Sequence, residues 1–317
     1  YHVLQNLYNL KNNNVKIIKE IENIINNNKI FEIYKFSNDE FNYDKEGIYI
    51  GEMKNNIKDG YGILFYNKDN KYKRIKYEGD WKNDKREGKG IMYFNDGDRY
   101  EGDWKRNLFD GKGIYYYKDG SRFEGEWKNG HKEGKGIMYY IDGDRYDGDW
   151  KNGDREGRGI YYNKNGHRYE GDFKNDNREG KGIIYFKDGE IYEGEWKNNI
   201  YEGKGIYYSN DGDRYEGDWK NCKKEGKGIY FYNDGDKFEG EWKNNIIEGK
   251  GIMYYKNGDR YDGDWKNANR DGKGIYYYKN GDRFEGEYKN DVREGKGIMY
   301  YKDGKFEEGE WKNGNPI

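Results

Sequence analysis

Packed and polar positions alternate along most of this chain with a period of two. In the stretch from Tyr100 to Lys105, YEGDWK, residues Tyr100, Gly102 and Trp104 fall on one side and Glu101, Asp103 and Lys105 on the other, as in a strand with one packed and one wet face. The stretch from Gly111 to Tyr117, GKGIYYY, is rich in β-branched and aromatic residues. The gap from Lys105 to Asp110 has room only for a hairpin loop, so this is the returning strand. Asp119-Gly120 closes the unit, as Asp96-Gly97, Asp142-Gly143, Asn165-Gly166 and Asn280-Gly281 do elsewhere, with glycine at the φ > 0 position of a tight turn. Two short turns per unit make an antiparallel meander without crossover helices.

The unit recurs without slipping. The glycine of YxGxW appears at Gly79, Gly102, Gly125, Gly148, Gly171, Gly194, Gly217, Gly240, Gly263, Gly286 and Gly309, each 23 residues after the last. Gly51 precedes Gly79 by 28 residues, which places a five-residue insertion near Asp69 to Lys76. The Asp-Gly turn decides which residues share a face. A two-residue turn sets Ile91 and Tyr93 beside Tyr100, whereas a three-residue loop with a glycine bulge sets Gly90, Met92 and Phe94 there. The Asn95-Asp96-Gly97 pattern favours the bulged loop, so Tyr100, Gly102, Trp104, Gly111, Gly113, Tyr115 and Tyr117 are assigned to one face. Ile114 and Tyr116 then join Glu101, Asp103, Lys105 and Lys112 on the other.

YEGDW followed by EGKGIMY and a closing DG resembles the MORN repeat (membrane occupation and recognition nexus), over roughly Ile48 to Lys312. The resemblance implies a rod-like, single-layer twisted β-sheet with an aromatic-lined groove, used for protein contacts and proposed for phospholipid contacts, and it implies no single activity. Where many members have histidine before the second glycine, this chain is acidic, as at Glu87, Asp110, Glu133 and Glu156. A role tied to that histidine is therefore not implied here.

For 317 residues, a hydrophobic content of 32% and a charged content of 38% are poor for a thick globular core. A solenoid resolves the conflict, because each hairpin buries its rings against its neighbours. All nine tryptophans occupy one repeat position, and Met53, Phe173 and Tyr288 fill the copies without one. The abundance of Lys, Asn, Ile and Tyr, beside one alanine (Ala268) and one proline (Pro316), reads as codon bias, and the asparagines carry no functional reading. The expected fold is thus an all-β repeat, an elongated single-layer antiparallel β-hairpin solenoid over residues 47–317. Residues 1–46 differ in kind. Val3, Leu4, Leu7 and Leu10, then Ile17, Ile18, Ile21, Ile24 and Ile25, recur at helical spacing, which predicts a small N-terminal helical cap over the first sheet edge. Ile30 to Phe36 reads as an added strand or the tail of that cap.

A net charge of −2 with alternating signs argues against nucleic acid as a partner and for a solvated charged face. The sole cysteine, Cys222, excludes an internal disulfide and suits a reducing cytoplasm. No stretch approaches the roughly 18 apolar residues of a spanning helix. Because the chain begins with Tyr1 and not methionine, a targeting or lipidation signal upstream would not be read from these residues.

Candidate chemistry has to be weighed against the repetition. Glu101 and Asp103 recur in every copy with no unique pocket to separate their pKa values, so a catalytic role is not expected. His2, His131 and His167 occupy unrelated positions and Cys222 has no phased histidine, so neither a metal site nor a thiol dyad is suggested. The Asp96 to Glu101 run lacks the glycine of a calcium loop, and EGKGIMY lacks the ending of a phosphate loop. No cofactor is expected. The reading is a non-catalytic protein-binding scaffold that engages a cytoskeletal or membrane-associated partner through its aromatic groove. The groove candidates are the tyrosines Tyr100, Tyr117, Tyr146, Tyr169 and Tyr215 with the tryptophans Trp104, Trp127, Trp150, Trp196 and Trp219. The alternatives are a phosphoinositide-binding membrane adaptor, with Lys89, Lys112 and Lys135 meeting headgroups, and the regulatory arm of a larger enzyme such as a lipid kinase or methyltransferase. The resemblance also implies self-association through terminal repeats, hence a two-fold dimer with Phe306 and Trp311 at its edge. Eleven hairpins at about 4.8 Å per strand give a sheet about 100 Å long with a radius of gyration near ~30 Å, against ~20 Å for a compact globule of this length. Small-angle scattering near the lower figure excludes the solenoid.

Overall fold

The computed structural model describes Lys19, Asn23 and residues 32–35, 47–66 and 71–317. The expected helical cap lies outside the described residues except for Lys19 and Asn23, which are helical. Glu32–Lys35 forms strand β1, which pairs antiparallel with β2 (Gly47–Lys54) from Glu32 opposite Gly51 to Lys35 opposite Ile48. The edge of the first repeat is thus covered by a strand, the alternative that the Ile30 to Phe36 segment offered.

The chain forms two compact units, Tyr1–Asp154 and Arg155–Ile317. In the first, β2 is followed by β3 (Ile57–Tyr66), β4 (Arg74–Lys82), β5 (Lys85–Phe94), β6 (Arg99–Lys105), β7 (Leu108–Tyr116), β8 (Arg122–Lys128), β9 (His131–Tyr139) and β10 (Arg145–Lys151). Each is antiparallel to the one before it. The second continues in the same way from β11 (Asp154–Tyr162) and β12 (Arg168–Lys174) to β24 (Phe306–Lys312) and β25 (Asn315–Pro316). In β24, Phe306 is 64% exposed, whereas Trp311 is buried and packs on Phe284 at 5.0 Å between centroids.

Two kinds of turn alternate. Between β6 and β7, Arg106 and Asn107 both have positive φ, 47° and 74°, the mirror-image turn whose twist suits a two-residue hairpin. At the first of these positions stand Asn83, Asn129, Asn152, Asn175 and their equivalents, all left-handed. The recurrent asparagines therefore have a conformational reason beyond codon bias, since Asn tolerates this region better than other side-chain-bearing residues. The wider turn after β5 is the three-residue bulged loop: Gly97 has φ 104°, its N–H donates to Phe94 O at 3.2 Å, and Phe94 N–H donates to Asp98 O at 3.0 Å. Register follows, with Met92 opposite Tyr100 and Gly90 opposite Gly102.

One face of each hairpin is closed by rings. Tyr100 is fully buried although it belongs to a single-layer sheet, because its ring lies over the cross-strand pair Gly102 and Gly113, where a Cβ at either glycine would collide with it. Trp104 meets Tyr100 edge-on at 5.4 Å, and the next tryptophan, Trp127, meets its other side at 5.4 Å. Polar atoms of the rings are satisfied by backbone: Tyr100 Oη donates to Asp103 O at 2.9 Å and Trp104 Nε1 to Gly90 O at 3.1 Å. Past the glycine pair, β7 carries a bulge at Asp110–Lys112, with Gly111 at φ 114°, so that Trp104 faces Phe109. Asp103 Oδ2 accepts the Lys112 N–H at 2.8 Å.

Carboxylates also tie each hairpin to the next. Glu133 accepts the N–H of the turn residue Asn152 at 3.1 Å, Glu225 that of Asn244 at 2.9 Å, and Glu248 that of Asn267 at 2.9 Å. These acids stand where the resemblance puts histidine, and their work is to cap the neighbouring tight turn. At the opposite end of the unit, Asp98 accepts Lys118 N–H at 2.8 Å and Tyr115 Oη at 2.7 Å. Glu225→Ala should cost about 1 kcal/mol in urea unfolding, and Glu225→Gln less, since an acceptor remains. Gly228→Ala should cost more, about 1–3 kcal/mol, because its Cβ would sit 2.5 Å from Tyr215 Cζ. Equal stability of all three variants would refute both roles.

Candidate functional site on the aromatic face

The rings chosen from sequence do share a face within each unit, but they are its interior and not its surface. Tyr100, Tyr146 and Tyr215 are 0% exposed, and Trp104, Trp127, Trp150, Trp196 and Trp219 lie between 3% and 7%. Tyr169 is buried as well, and only Tyr117 is partly exposed. The reason is the glycine pair: a ring that fits over bare backbone is covered by the tryptophans on both sides.

What meets solvent on this face is a second tier. From the returning strands come half-buried tyrosines such as Tyr115 and Tyr117 in the first unit and Tyr230, Tyr232, Tyr276 and Tyr278 in the second. From the residue five after each tryptophan position comes a row that sequence reading missed: eight of twelve are cations, namely Lys58, Arg86, Lys132, Arg155, Arg178, Lys224, Arg270 and Arg293, with Phe109, Tyr201, Ile247 and Pro316 in the others. The signal was present in the phase of the repeat, but these residues follow directly on the tight turn, where a charge reads as solvated.

The cations lie on rings instead. Arg86 is 2% exposed: its guanidinium lies 5.0 Å from the Trp104 centroid, and it donates to Tyr66 Oη at 2.5 Å. Lys132 sits 4.5 Å from Trp150, Arg178 4.9 Å from Trp196, and Lys224 4.2 Å from Tyr230 and 5.1 Å from Trp242. Phe109 and Tyr201 stack in the same place on Tyr100 and Tyr192, at 3.7 and 4.0 Å. Burial against these rings lowers the pKa of the Lys224 ammonium to about 8 and pushes Arg178 and Arg293 down as well.

The other face is built of rungs such as Glu101 opposite Ile114. It forms shallow troughs, one of 840 Å³ between Tyr61 and Asp147 in the first unit and one of 780 Å³ between Lys250 and Glu310 in the second. Several of its lysines are engaged across strands: Lys89 Nζ lies 2.5 Å from Asp103 and Lys135 Nζ 2.5 Å from Asp149. Asp103, considered above for acid–base work, holds a backbone amide and a lysine.

The family model of the MORN repeat matches residues 49–71, then eleven successive segments from 77–99 to 308–316. The chain belongs to the MORN-repeat family. The gap between the first two matches contains the inserted residues before Gly79. No curated protein matches the chain. Among solved structures, the TCP10 domain of Danio rerio CPAP in complex with a peptide of Danio rerio STIL shares 14% identity over 64% of this chain and 96% of that one, with a TM-score of 0.36. The Drosophila melanogaster SAS-4 (dCPAP) TCP domain, in complex with a proline-rich motif of Ana2 (dSTIL), shares 14% over 55% and 88%, with a TM-score of 0.33. Likeness this slight carries no argument about the MORN array described here.

Burial also sets the response of the MORN core to alkali. It raises the pKa of Tyr100, Tyr192, Tyr215 and Tyr261 far above 10, and those of Tyr117 and Tyr232 to about 12. A phenol whose folded pKa is raised stabilises the fold fully below its unfolded pKa of about 10 and loses that contribution as pH climbs toward the folded value. Stability should therefore fall steeply above pH 10, by up to about 1.4 kcal/mol per pH unit for each ring kept protonated in the native state. Tyrosinate absorbance should appear together with the loss of β-sheet circular dichroism. Titration of Tyr100, Tyr192, Tyr215 and Tyr261 near pH 10 with the sheet intact would contradict the closed packing.

Proposed function

We propose that this MORN array is a non-catalytic scaffold that binds a segment of a cytoskeletal or membrane-associated protein in the cytoplasm, along the second tier of its aromatic face. The observation that carries this reading is the row of ring-packed side chains five residues after the tryptophan position, cationic at eight of its positions, beside half-exposed tyrosines of the returning strands. Aromatic and arginine side chains held rigidly by packing lose little entropy on contact and dominate protein interfaces. The phosphoinositide reading is weaker on the same geometry, since Lys89 and Lys135 already have carboxylate partners.

The test is positional. A photo-crosslinking residue in place of Tyr117 or Tyr278, on the aromatic face, is compared in cells with one in place of Ile114 or Ile275, on the other. Protein adducts from the first pair alone are expected. Adducts only from the second pair, or from neither, would overturn the reading. Trp150→Ala and Tyr146→Ala are unsuitable probes because both rings belong to the core.

A further inference from the structure

The last complete hairpin of the second unit departs from the repeat in one respect. Tyr288 stands where tryptophan is usual; it is 5% exposed, and its hydroxyl is buried without a hydrogen-bond partner. An unpaired buried donor is costly. Tyr288 lines a pocket of 390 Å³ with Arg270, Tyr276, Tyr278, Asp291 and Arg293. Two guanidinium groups and one carboxylate line it. Asp291 is committed to Arg270, accepting from Nε at 3.1 Å, while its backbone carbonyl accepts from the second guanidinium nitrogen at 2.8 Å. Arg293 lies 4.6 Å from the Phe284 centroid and 5.6 Å from Tyr278, with no carboxylate at ion-pair distance among the described residues.

We propose that this pocket receives a side-chain carboxylate of an acidic partner segment lying along the aromatic face of residues 155–317, with Arg293 as its principal ligand and the Tyr288 hydroxyl as a second donor. One free guanidinium fork and one hydroxyl match a single charge on two oxygens. A dianionic phosphate is disfavoured by the Asp291 carboxylate in the same wall. The inference rests on the protein-binding reading and names the chemistry of the partner. Two further members of the row, Arg178 and Lys224, are also held on rings with no carboxylate at ion-pair distance among the described residues. Hairpins recur every two strands, about 10 Å, so successive row positions are spanned by about three residues of an extended segment. Tyr201 and Ile247 alternate with Arg178 and Lys224 along the row, so the segment should alternate acidic and apolar contacts at that step.

The probe is a fluorescein-labelled peptide of about 20 glutamates, with a glutamine peptide of equal length as control and fluorescence anisotropy as the readout on the full chain. Salt-sensitive binding of the glutamate peptide alone is expected. Arg293→Gln should weaken it about tenfold, the loss of one charge-assisted hydrogen-bonded pair. Tyr288→Phe should weaken it several-fold while leaving the melting temperature equal or higher, because the hydroxyl it removes is unpaired; a merely structural Tyr288 would not separate the two readouts. Lys250→Gln, on the opposite face, should change nothing. Equal binding of the two peptides, or undiminished binding by both pocket variants, overturns the proposal. So does capture of phosphatidylcholine vesicles carrying phosphatidylinositol bisphosphate without capture of the glutamate peptide. Protein crosslinks from Tyr278 with no preference for glutamate would defeat this inference and leave the protein-binding reading standing; absence of crosslinks would remove both.

Discussion

Everything in this protein depends on an aromatic ring lying over a pair of cross-strand glycines. A single β-layer ordinarily wets both faces and cannot stand alone, and this one closes a face by sinking Tyr100, Phe123, Tyr146 and their equivalents onto bare backbone. Phe123 is then held edge-on by Trp127 of its own strand and Trp150 of the following repeat, and Tyr146 by Trp150 of its own strand. The arrangement is unforgiving: a Cβ at Gly113 or Gly136 would stand where the ring is. It also explains why the repeat never slips, since a shift of one residue would turn every ring to the other face.

The charges complete the same design. With 38% of residues charged, a solvated face was the natural expectation. Many of the acids instead accept backbone N–H groups that the bulges and tight turns leave outside the ladder: Asp103 from Lys112, Glu133 from Asn152, Asp98 from Lys118. A hydrogen bond to a charged acceptor is worth more than a neutral one, and here each links consecutive strands or consecutive hairpins. Stability in such an array accumulates from neighbour to neighbour, which is why one polar side chain per turn suffices.

Closing the face moves recognition outward. The rings that make the fold have no surface left to offer, so contact falls to the tier above them, where side chains can vary without loosening the packing. At the row five residues after the tryptophan position the chain accommodates lysine, arginine, phenylalanine, tyrosine and isoleucine on the same underlying ring. A fixed core with a variable row is the arrangement by which repeat proteins keep one fold and change partners. On the opposite face, Lys89 and Lys135 spend their charge on Asp103 and Asp149.

The sequence by itself determined the repeat, its 23-residue length, the strand pair within it, the bulged Asp-Gly loop and hence the facing of Tyr100 with Met92, because period-two patterning and turn chemistry are local. It also located the insertion before Gly79. Three things were decided only by the tertiary structure, since each rests on what the neighbouring hairpin supplies. Whether Trp104 lines a groove or fills a core depends on Tyr77, Arg86 and Phe109 covering it, and they lie 27, 18 and five residues away. Whether Glu133 is a surface charge depends on the turn at Asn152 coming within hydrogen-bond reach. Whether Lys224 is solvated depends on the rings of Tyr215, Tyr230 and Trp242 drawn from three strands around it. Pattern shows which way a side chain points, but burial is a property of what stands opposite, and only the folded sheet brings that into place.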